Sequence, residues 1–255
     1  MQVLTALRAS HERLAAALAA MTDAQLAAPS YDDEWSIAQL ASHLGSGAEV
    51  YGLFLDAGLH STSAPGIDQF RPVWDRWNAK SPVRQRDDLL EMDAALADRI
   101  AALSDADRAA WRLEMFGTDQ NLSGLLRMRL GEHALHTWDA AVALDPTATV
   151  PVDAAALIVD SLPELVGRVG KPSADAQSIV VTTVDPDRMF RLDIDASGAR
   201  LASLDGGGAP GARLRLPAEA FIRLVYGRLD PDHTPDEVEA DGVDLDSLRR
   251  TFPGV

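Results

Sequence analysis

The pattern of apolar residues changes once along this chain of 255 residues, near the segment DPTATVP at residues 145–151. Before it, four long stretches carry apolar residues at helical spacing and are joined by short connections, which predicts a helical bundle. After it, SIVVTTV, MFRLDID and RLASLDG alternate or run apolar and are separated by turn residues, which predicts a small antiparallel sheet. We therefore expect an α+β fold, with a helical domain over residues 1–148 and an α/β domain over residues 149–255.

Capping signals support the helices that the periodicity predicts. Ser36 is followed three residues later by Gln39, a capping-box pattern at the start of an apolar periodic run. Pro82 directly after Ser81 is typical of a first helical position. The predicted helices cover residues 2–20, a run after Ser36, a short WDRW segment, a run from Pro82, residues 122–144, residues 152–169 and a run after Pro217.

Charge and composition exclude several kinds of partner and chemistry. The 39 acidic and 23 basic residues give a formal charge of -16, which repels nucleic acid and anionic lipid, so neither nucleic acid nor a membrane is an expected partner. The chain has no cysteine, so any thiol chemistry must come from a cofactor. The N-terminal helix carries too many charged residues for a signal peptide, and we expect a soluble, cytoplasmic protein.

The segment GEHALHTWDAA, residues 131–141, concentrates groups that could bind a metal ion. Glu132 and His136 are four residues apart, so in a helix they project from one face and could occupy two positions of one ion. A third ligand should come from a neighbouring helix. His43 is the best placed of the other histidines, and His11 is the reserve.

The same segment leaves alternatives open. Its order is not the HExxH pattern of zinc proteases. By spacing alone His133 could replace Glu132 as a ligand, and Asp139 could accept the second N–H of His136 and fix its tautomer. A solvated helix face or core histidines would produce the same string of residues.

Two separated pairs of segments resemble a known family. EWSIAQLASHL, followed later by GEHALHTWDAA, resembles the N-terminal half of the mycothiol-dependent maleylpyruvate isomerase family, a branch of the DinB-like metal-binding four-helix bundles. RLRLPAEAFIRLVYGRLDPDHTP and the closing LRRTFPGV resemble its second domain, which is related to sterol-carrier-like α/β folds. The resemblance covers nearly the whole chain.

The resemblance implies a ligand set and a catalytic residue. In that family the metal, usually zinc, is held by residues that match His43, Glu132 and His136, so His133 becomes a neighbour of the site. Members with isomerase activity use an arginine of the second domain, which we match to Arg228 in YGRL, although Arg223 lies close by.

The function implied is a reaction with a small electrophile that depends on zinc, or another divalent metal, and on mycothiol as the low-molecular-weight thiol. A metal held by two imidazoles and one carboxylate favours ionisation of a bound thiol. Cis-trans isomerisation of maleylpyruvate is the expected reaction. The alternatives are a mycothiol S-transferase, a non-catalytic module that binds a metal or an apolar ligand and, ranked last, a metal-dependent hydrolase. Trp35, Trp74, Trp77 and Trp138 are aromatic candidates for lining a pocket, although such residues more commonly pack in the core, and the sequence does not identify the pocket-lining residues.

Overall fold

The computed structural model describes residues 2–31, 34–115, 117–204 and 211–254. The chain forms two compact units, Met1–Ala148 and Thr149–Val255. The first unit is mainly helical and the second contains a five-stranded sheet with helices, which confirms the predicted α+β class.

The first unit is built around four long helices. Its described helices are α1 (Gln2–Ala19), α2 (Asp23–Leu26), α3 (Ile37–Leu59), α4 (Ile67–Asn78), α5 (Pro82–Ala102), α6 (Asp105–Ala110) and α7 (Leu122–Val142). α3 packs against α5 and α7, and α1 packs against the same two helices, so the four long helices α1, α3, α5 and α7 form the predicted bundle. The unit also contains α2, α6 and a hairpin of β1 (Arg112–Met115) and β2 (Thr118–Asn121), none of which was predicted from the sequence.

Side-chain caps fix where the two helices with predicted metal ligands begin. At α3 the Ser36 hydroxyl accepts a hydrogen bond from the Gln39 backbone N–H at 3.2 Å, and the Gln39 side-chain oxygen accepts one from the Ser36 N–H at 2.9 Å. At α7 the side chain of Asn121 accepts from the Gly124 N–H at 2.9 Å. Such caps satisfy N–H groups that lack partners within the helix. They also set which residues of each helix face its neighbours.

The bundle core is apolar, and each long helix contributes to it. Leu14, Leu44, Leu89 and Leu130, one from each of these helices, have no exposed surface. Burying a leucine side chain contributes about 1.5–3 kcal/mol relative to leaving it exposed. The core therefore holds α3 and α7 in the positions that bring their polar side chains together.

The second unit combines a sheet with short helices. Its described helices are α8 (Val152–Ile158), α9 (Leu162–Val169), α10 (Ala218–Val225) and α11 (Leu245–Thr251), and its strands are β3 (Gln177–Val184), β4 (Arg188–Asp195), β5 (Gly198–Ser203), β6 (Ala212–Pro217) and β7 (Glu239–Asp241). The single helix predicted for residues 152–169 is wrong, because a 3-10 turn at Val159–Ser161 separates α8 from α9. Pro163 explains the break, since it has no N–H to donate to the carbonyl four residues earlier and its ring would clash there.

The sheet has the strand order β5-β4-β3-β6-β7. Three of its four pairings are antiparallel, and β3 pairs with β6 in parallel, with Val181 opposite Leu214. The turn predicted at GGGAPG falls at residues 206–211, and all of it except Gly211 lies outside the described residues. Within the described ranges, no helix combines the length and apolar composition needed to cross a bilayer.

Candidate metal centre

Three of the predicted site residues meet between α3 and α7. Glu132 Oε2 lies 3.4 Å from His43 Nε2 and 3.8 Å from His136 Nε2. The imidazole rings of His43 and His136 are 4.7 Å apart between centroids. One ligand atom from each residue therefore lies within 4.8 Å of the other two. We call these three residues the His43 cluster.

The spacing of the His43 cluster suits a tetrahedral metal ion. Ligand bonds of about 2.0–2.1 Å in a tetrahedron place neighbouring ligand atoms about 3.3 Å apart. The distances of 3.4 and 3.8 Å are close to this edge and longer than ordinary hydrogen bonds between the same atoms. Two imidazole nitrogens and one carboxylate oxygen form the ligand set of many catalytic zinc sites, which leave a fourth position open.

Asp139 orients His136. Its Oδ2 lies 2.8 Å from His136 Nδ1, and the residue has no exposed surface. An ionised carboxylate can only accept, so Nδ1 carries the proton and the Nε2 lone pair is directed towards the cluster. This is the arrangement that fixes tautomer and ring orientation in metal-binding histidines. The spacing of three residues between His136 and Asp139 predicts this contact.

The electrostatic environment keeps Glu132 ionised. Burial alone raises the pKa of a carboxyl group, but the hydrogen bond from His43 and the charges of His136, His43 and Arg129 outweigh burial and lower the pKa of Glu132 to about 2. A carboxylate is the form that binds metal. Glu132 is therefore ready to act as a ligand at neutral pH.

His133 lies in a different cluster, on the part of α7 that faces α5 and α1. Its Nε2 is 2.5 Å from Asp93 Oδ2 on α5, and its Nδ1 is 2.8 Å from the Ser10 hydroxyl on α1. Arg129 donates to the other oxygen of Asp93 at 2.7 Å. Burial lowers the pKa of His133, although Asp93 opposes that change. Both ring nitrogens are engaged, so His133 does not replace Glu132 as a ligand.

His11, the reserve ligand, joins this second cluster and does not meet Glu132 and His136. Its Nδ1 lies 3.6 Å from Asp93 Oδ2. Histidines and an aspartate are thus grouped a second time in the described part of the bundle. The distance of 2.5 Å between His133 and Asp93 is too short for two ligands of one ion, and Arg129 already neutralises the carboxylate. This second cluster is a hydrogen-bonded part of the core.

In the second cluster the side chain of His133 contacts a serine on one side and an aspartate on the other, but the three residues do not form a hydrolytic triad. Ser10 is 1 % exposed and His133 is fully buried, so no ester or amide can reach the hydroxyl. In hydrolases the aspartate holds Nδ1 and the serine contacts Nε2, whereas here Asp93 contacts Nε2 and Ser10 contacts Nδ1. This cluster is therefore not a serine-hydrolase site, which is separate from the metal-dependent hydrolase alternative at the His43 cluster.

A cavity with a volume of about 440 Å³ opens beside the His43 cluster, and His43 forms part of its wall. Trp35 and Trp74 also line it. The ring of Trp35 lies 4.9 Å from the His43 ring and 6.0 Å from the His136 ring, so this indole covers one side of both imidazoles. The other two tryptophan candidates, Trp77 and Trp138, are buried in the core, with 1 % and 2 % exposed.

Arg228, the predicted catalytic residue, lies in the second unit directly after α10. It is 9 % exposed, and its Nη1 donates to the Tyr226 carbonyl at 2.8 Å. The competing candidate, Arg223, forms a two-point salt bridge with Glu219 at 2.8 and 2.9 Å and donates to the His233 carbonyl at 2.7 Å. Arg223 is thus a structural brace of this unit.

The fold and the site together define a class of protein: a helical bundle with a candidate His₂Glu metal centre, followed by a small α/β unit. Family models match both parts. Residues 7–141 match the mycothiol maleylpyruvate isomerase N-terminal domain, and residues 149–248 match the C-terminal domain of the same family. The chain belongs to the mycothiol maleylpyruvate isomerase family, and the resemblance recognised in the sequence is confirmed.

Solved structures show the same fold. A crystal structure of the mycothiol-dependent maleylpyruvate isomerase aligns with a TM-score of 0.66 over 94% of this chain and 91% of that chain, at 16% sequence identity. A crystal structure of a mutant of the mycothiol-dependent maleylpyruvate isomerase gives the same values. A search of curated proteins finds no match.

Proposed function

We propose that this protein is a metal-dependent and mycothiol-dependent enzyme that activates the thiol for addition to a small electrophile, with cis-trans isomerisation of maleylpyruvate as its reaction. The observation that carries this proposal is the His43 cluster, which has ligand spacing and adjoins a cavity. Because the chain has no cysteine, a thiol reaction needs an external thiol, which is consistent with the family.

His43, Glu132 and His136 would hold the metal ion, zinc or another divalent ion that accepts two nitrogen ligands and one oxygen ligand. When bound, a divalent ion supplies the positive charge that lets a thiol lose its proton near neutral pH. Asp139 keeps the proton of His136 on Nδ1, so that the Nε2 lone pair would be the one that binds the ion. Trp35 packs against one side of the two imidazoles.

In the isomerisation, the cis double bond of maleylpyruvate becomes a single bond when sulfur adds to one of its carbons. Rotation about that bond, followed by loss of the same sulfur, gives the trans isomer, fumarylpyruvate. No atom is gained or lost overall. Arg228 is proposed to hold a substrate carboxylate through two N–H groups, and this charge offsets the negative charge that develops on the neighbouring carbonyl.

The test is an assay of zinc-loaded protein with maleylpyruvate and with a panel of other electrophiles, each with and without mycothiol. We expect about one metal ion per chain and conversion only when mycothiol is present. Stable thiol adducts in place of fumarylpyruvate would identify an S-transferase. Carefully purified protein without metal, or equal conversion without thiol, would refute the proposal.

Two variants separate the proposed metal-binding role of His136 from the proposed substrate-binding role of Arg228. His136→Ala should lose both metal and activity. Arg228→Gln should keep the metal content and lose turnover of maleylpyruvate, because it removes the charge that holds the carboxylate. Full activity of Arg228→Gln would remove this residue from the proposed mechanism and leave the metal site unaffected.

A further inference from the structure

Arg129 connects the second cluster to the helix that carries His43. It lies on α7 and is 1 % exposed. Its Nη2 donates to Asp93 Oδ1 of α5 at 2.7 Å and to the Leu44 carbonyl of α3 at 2.8 Å. Leu44 directly follows His43 in the chain. One guanidinium group therefore ties α7 and α5 to the turn of α3 that carries a proposed metal ligand.

The guanidinium group also contacts α3 beyond Leu44. Gly47 presents no side chain to it, and a Cβ atom at this position would lie 2.8 Å from Arg129 Nη1. The guanidinium carbon lies 5.5 Å from the centre of the Tyr51 ring, which is within the range of a cation–π contact. Leu44, Gly47 and Tyr51 are three and four residues apart, so they form one strip along α3. Arg129 lies against this strip, between α3 and α7.

Glycine at position 47 permits this close approach. Glycine in a helix interior is less favourable than alanine, and the position of the guanidinium explains why it stands here. A methyl carbon would lie 2.8 Å from Nη1, whereas ordinary contacts begin at 3.4 Å, so relief takes several tenths of an ångström. The end of an arginine side chain can usually move aside, but moving this one would leave the buried Asp93 carboxylate unpaired. The shift would therefore fall on the separation of α3 from α7.

This separation determines the geometry of the His43 cluster, because His43 belongs to α3 while Glu132 and His136 belong to α7. Gly47 lies four residues after His43 on the same face of α3. Arg129 lies three residues before Glu132, so their contact is about one helical turn away from the cluster. A well-formed metal site keeps its ligand distances within about 0.2 Å of the ideal values. A shift of several tenths of an ångström would therefore change how His43 meets the other two ligands.

We propose that Arg129 is a positioning residue for the metal centre and that, together with Gly47, it fixes the separation of α3 and α7 at which the three residues of the His43 cluster meet. This inference rests on the proposed function, since it requires that the His43 cluster binds a metal ion. Arg129 acts through the backbone of α3 and is not itself a ligand. The second cluster holds its guanidinium group in place.

Gly47→Ala tests the spacing without removing a charge or a hydrogen-bonding group. The full-length chain is titrated with zinc against a chromophoric chelator. It is also loaded with cobalt(II), which accepts the same nitrogen and oxygen ligands and whose visible absorption depends on their geometry. We expect roughly tenfold weaker zinc binding, the lower end of the range for groups that support metal ligands, and a changed cobalt spectrum. A variant that differs from the unmodified chain only in its free energy of urea unfolding would overturn the proposal.

Gly52→Ala is the matched control. It makes the same substitution in α3, and its Cβ atom would lie 3.2 Å from the Nη1 of another arginine, Arg99. The Arg99 side chain is 49 % exposed and pairs with Asp56 at the surface, so it can move aside. We expect this variant to bind zinc like the unmodified chain and to give the same cobalt spectrum. Equal losses of affinity in the two variants would contradict a specific role of Arg129.

Arg129→Lys shows whether the effect of position 47 passes through the guanidinium group. Lysine keeps a positive charge beside Asp93 but has no second nitrogen arm to meet a methyl group at position 47. Adding Gly47→Ala to Arg129→Lys should therefore cause little further loss of zinc affinity. The same loss in both backgrounds would refute the role of Arg129. If Arg129→Lys does not fold, the comparison of Gly47→Ala with Gly52→Ala decides the question.

Failure of the positioning role and failure of the proposed function give different results. If Gly47→Ala binds zinc like the unmodified chain while mycothiol-dependent activity is present, the positioning role is wrong and the function stands. If zinc affinity changes in the variants as expected but mycothiol supports no reaction, the positioning role stands and the proposed function is wrong. An unmodified chain that binds no zinc would refute both.

Discussion

Replacing Asp139 with asparagine tests whether the hydrogen bond that orients the ligand His136 contributes to metal affinity. The substitution keeps the size of the side chain and removes its charge. Asp139 contacts His136 Nδ1 at 2.8 Å and has no exposed surface, so water cannot take over this contact. An asparagine amide can turn its oxygen to Nδ1, but as a neutral group it stabilises the proton there less well.

Changes to such supporting residues typically lower metal affinity by about 10–100-fold, which corresponds to about 1.4–2.7 kcal/mol. The complete burial of Asp139 places the expected loss near the upper end, since a hydrogen bond to a charged group is stronger in a low dielectric. The measurement is competition of the protein with a chromophoric zinc chelator at neutral pH. Asp98→Asn is the control, because Asp98 pairs with Arg8 at the exposed surface.

The reasoning would be refuted by an unchanged zinc affinity in Asp139→Asn, measured on protein whose urea unfolding shows that it is folded. If Asp139→Asn lowers the free energy of unfolding of the metal-free protein but leaves the zinc affinity unchanged, Asp139 stabilises the core and does not support the metal centre. The expected pattern is the reverse, a moderate loss of affinity that is smaller than the loss caused by removing the His136 imidazole itself.

Three further substitutions test the separation of the two histidine clusters. His136→Ala should lose bound metal during dialysis, whereas His11→Ala should keep it, and metal analysis by mass spectrometry distinguishes these outcomes from a shared site. Asp93→Asn should lower the free energy of unfolding by about 3–5 kcal/mol at neutral pH, because it leaves the buried charge of Arg129 unpaired. Burial raises the pKa of Asp93, but the charges of Arg129 and His133 and the hydrogen bonds from His11 and His133 together outweigh burial and hold the pKa well below 3.8. The stability that the carboxylate contributes is therefore complete above pH 3.8 and is lost as pH falls through the lower, folded-state pKa. We therefore measure the free energy of urea unfolding of both proteins at several pH values. The difference in free energy between Asp93→Asn and the unmodified chain should become smaller only below pH 3.8.

Local signals in the sequence predict most of the fold. The helical spacing of apolar residues and the residues at helix starts predict α1, α3, α5 and α7. They do so because both patterns lie within or directly beside the helix that they predict. The break between α8 and α9 depends on one residue, Pro163, whose effect a long apolar run conceals. The parallel pairing of β3 with β6 depends on which distant strands meet, and that is a property of the tertiary structure.

The candidate metal centre was predictable in part, and the cavity was not. Spacing along one helix identifies Glu132 with His136, and the family resemblance adds His43 from a second helix. The cavity wall draws Asn78 from α4 and Gln85 from α5, and neither residue belongs to a recognisable motif. Glutamine and asparagine are common on helix surfaces, so only tertiary contacts reveal that these two face one opening.

The segment GEHALHTWDAA shows why residue type alone does not identify a metal site. Successive residues of an α-helix are about 100° apart around its axis, so Glu132 and His133 face different neighbours. Glu132 lies 3.4 Å from His43 of α3, a spacing that leaves room for an ion. His133 instead forms a direct hydrogen bond of 2.5 Å with Asp93 of α5, which leaves no such room. Arg129, four residues before His133 and on the same face, supplies the positive charge that an ion would otherwise bring to Asp93. A buried arginine therefore makes one cluster part of the core, and the proximity of a cavity makes the other the candidate centre.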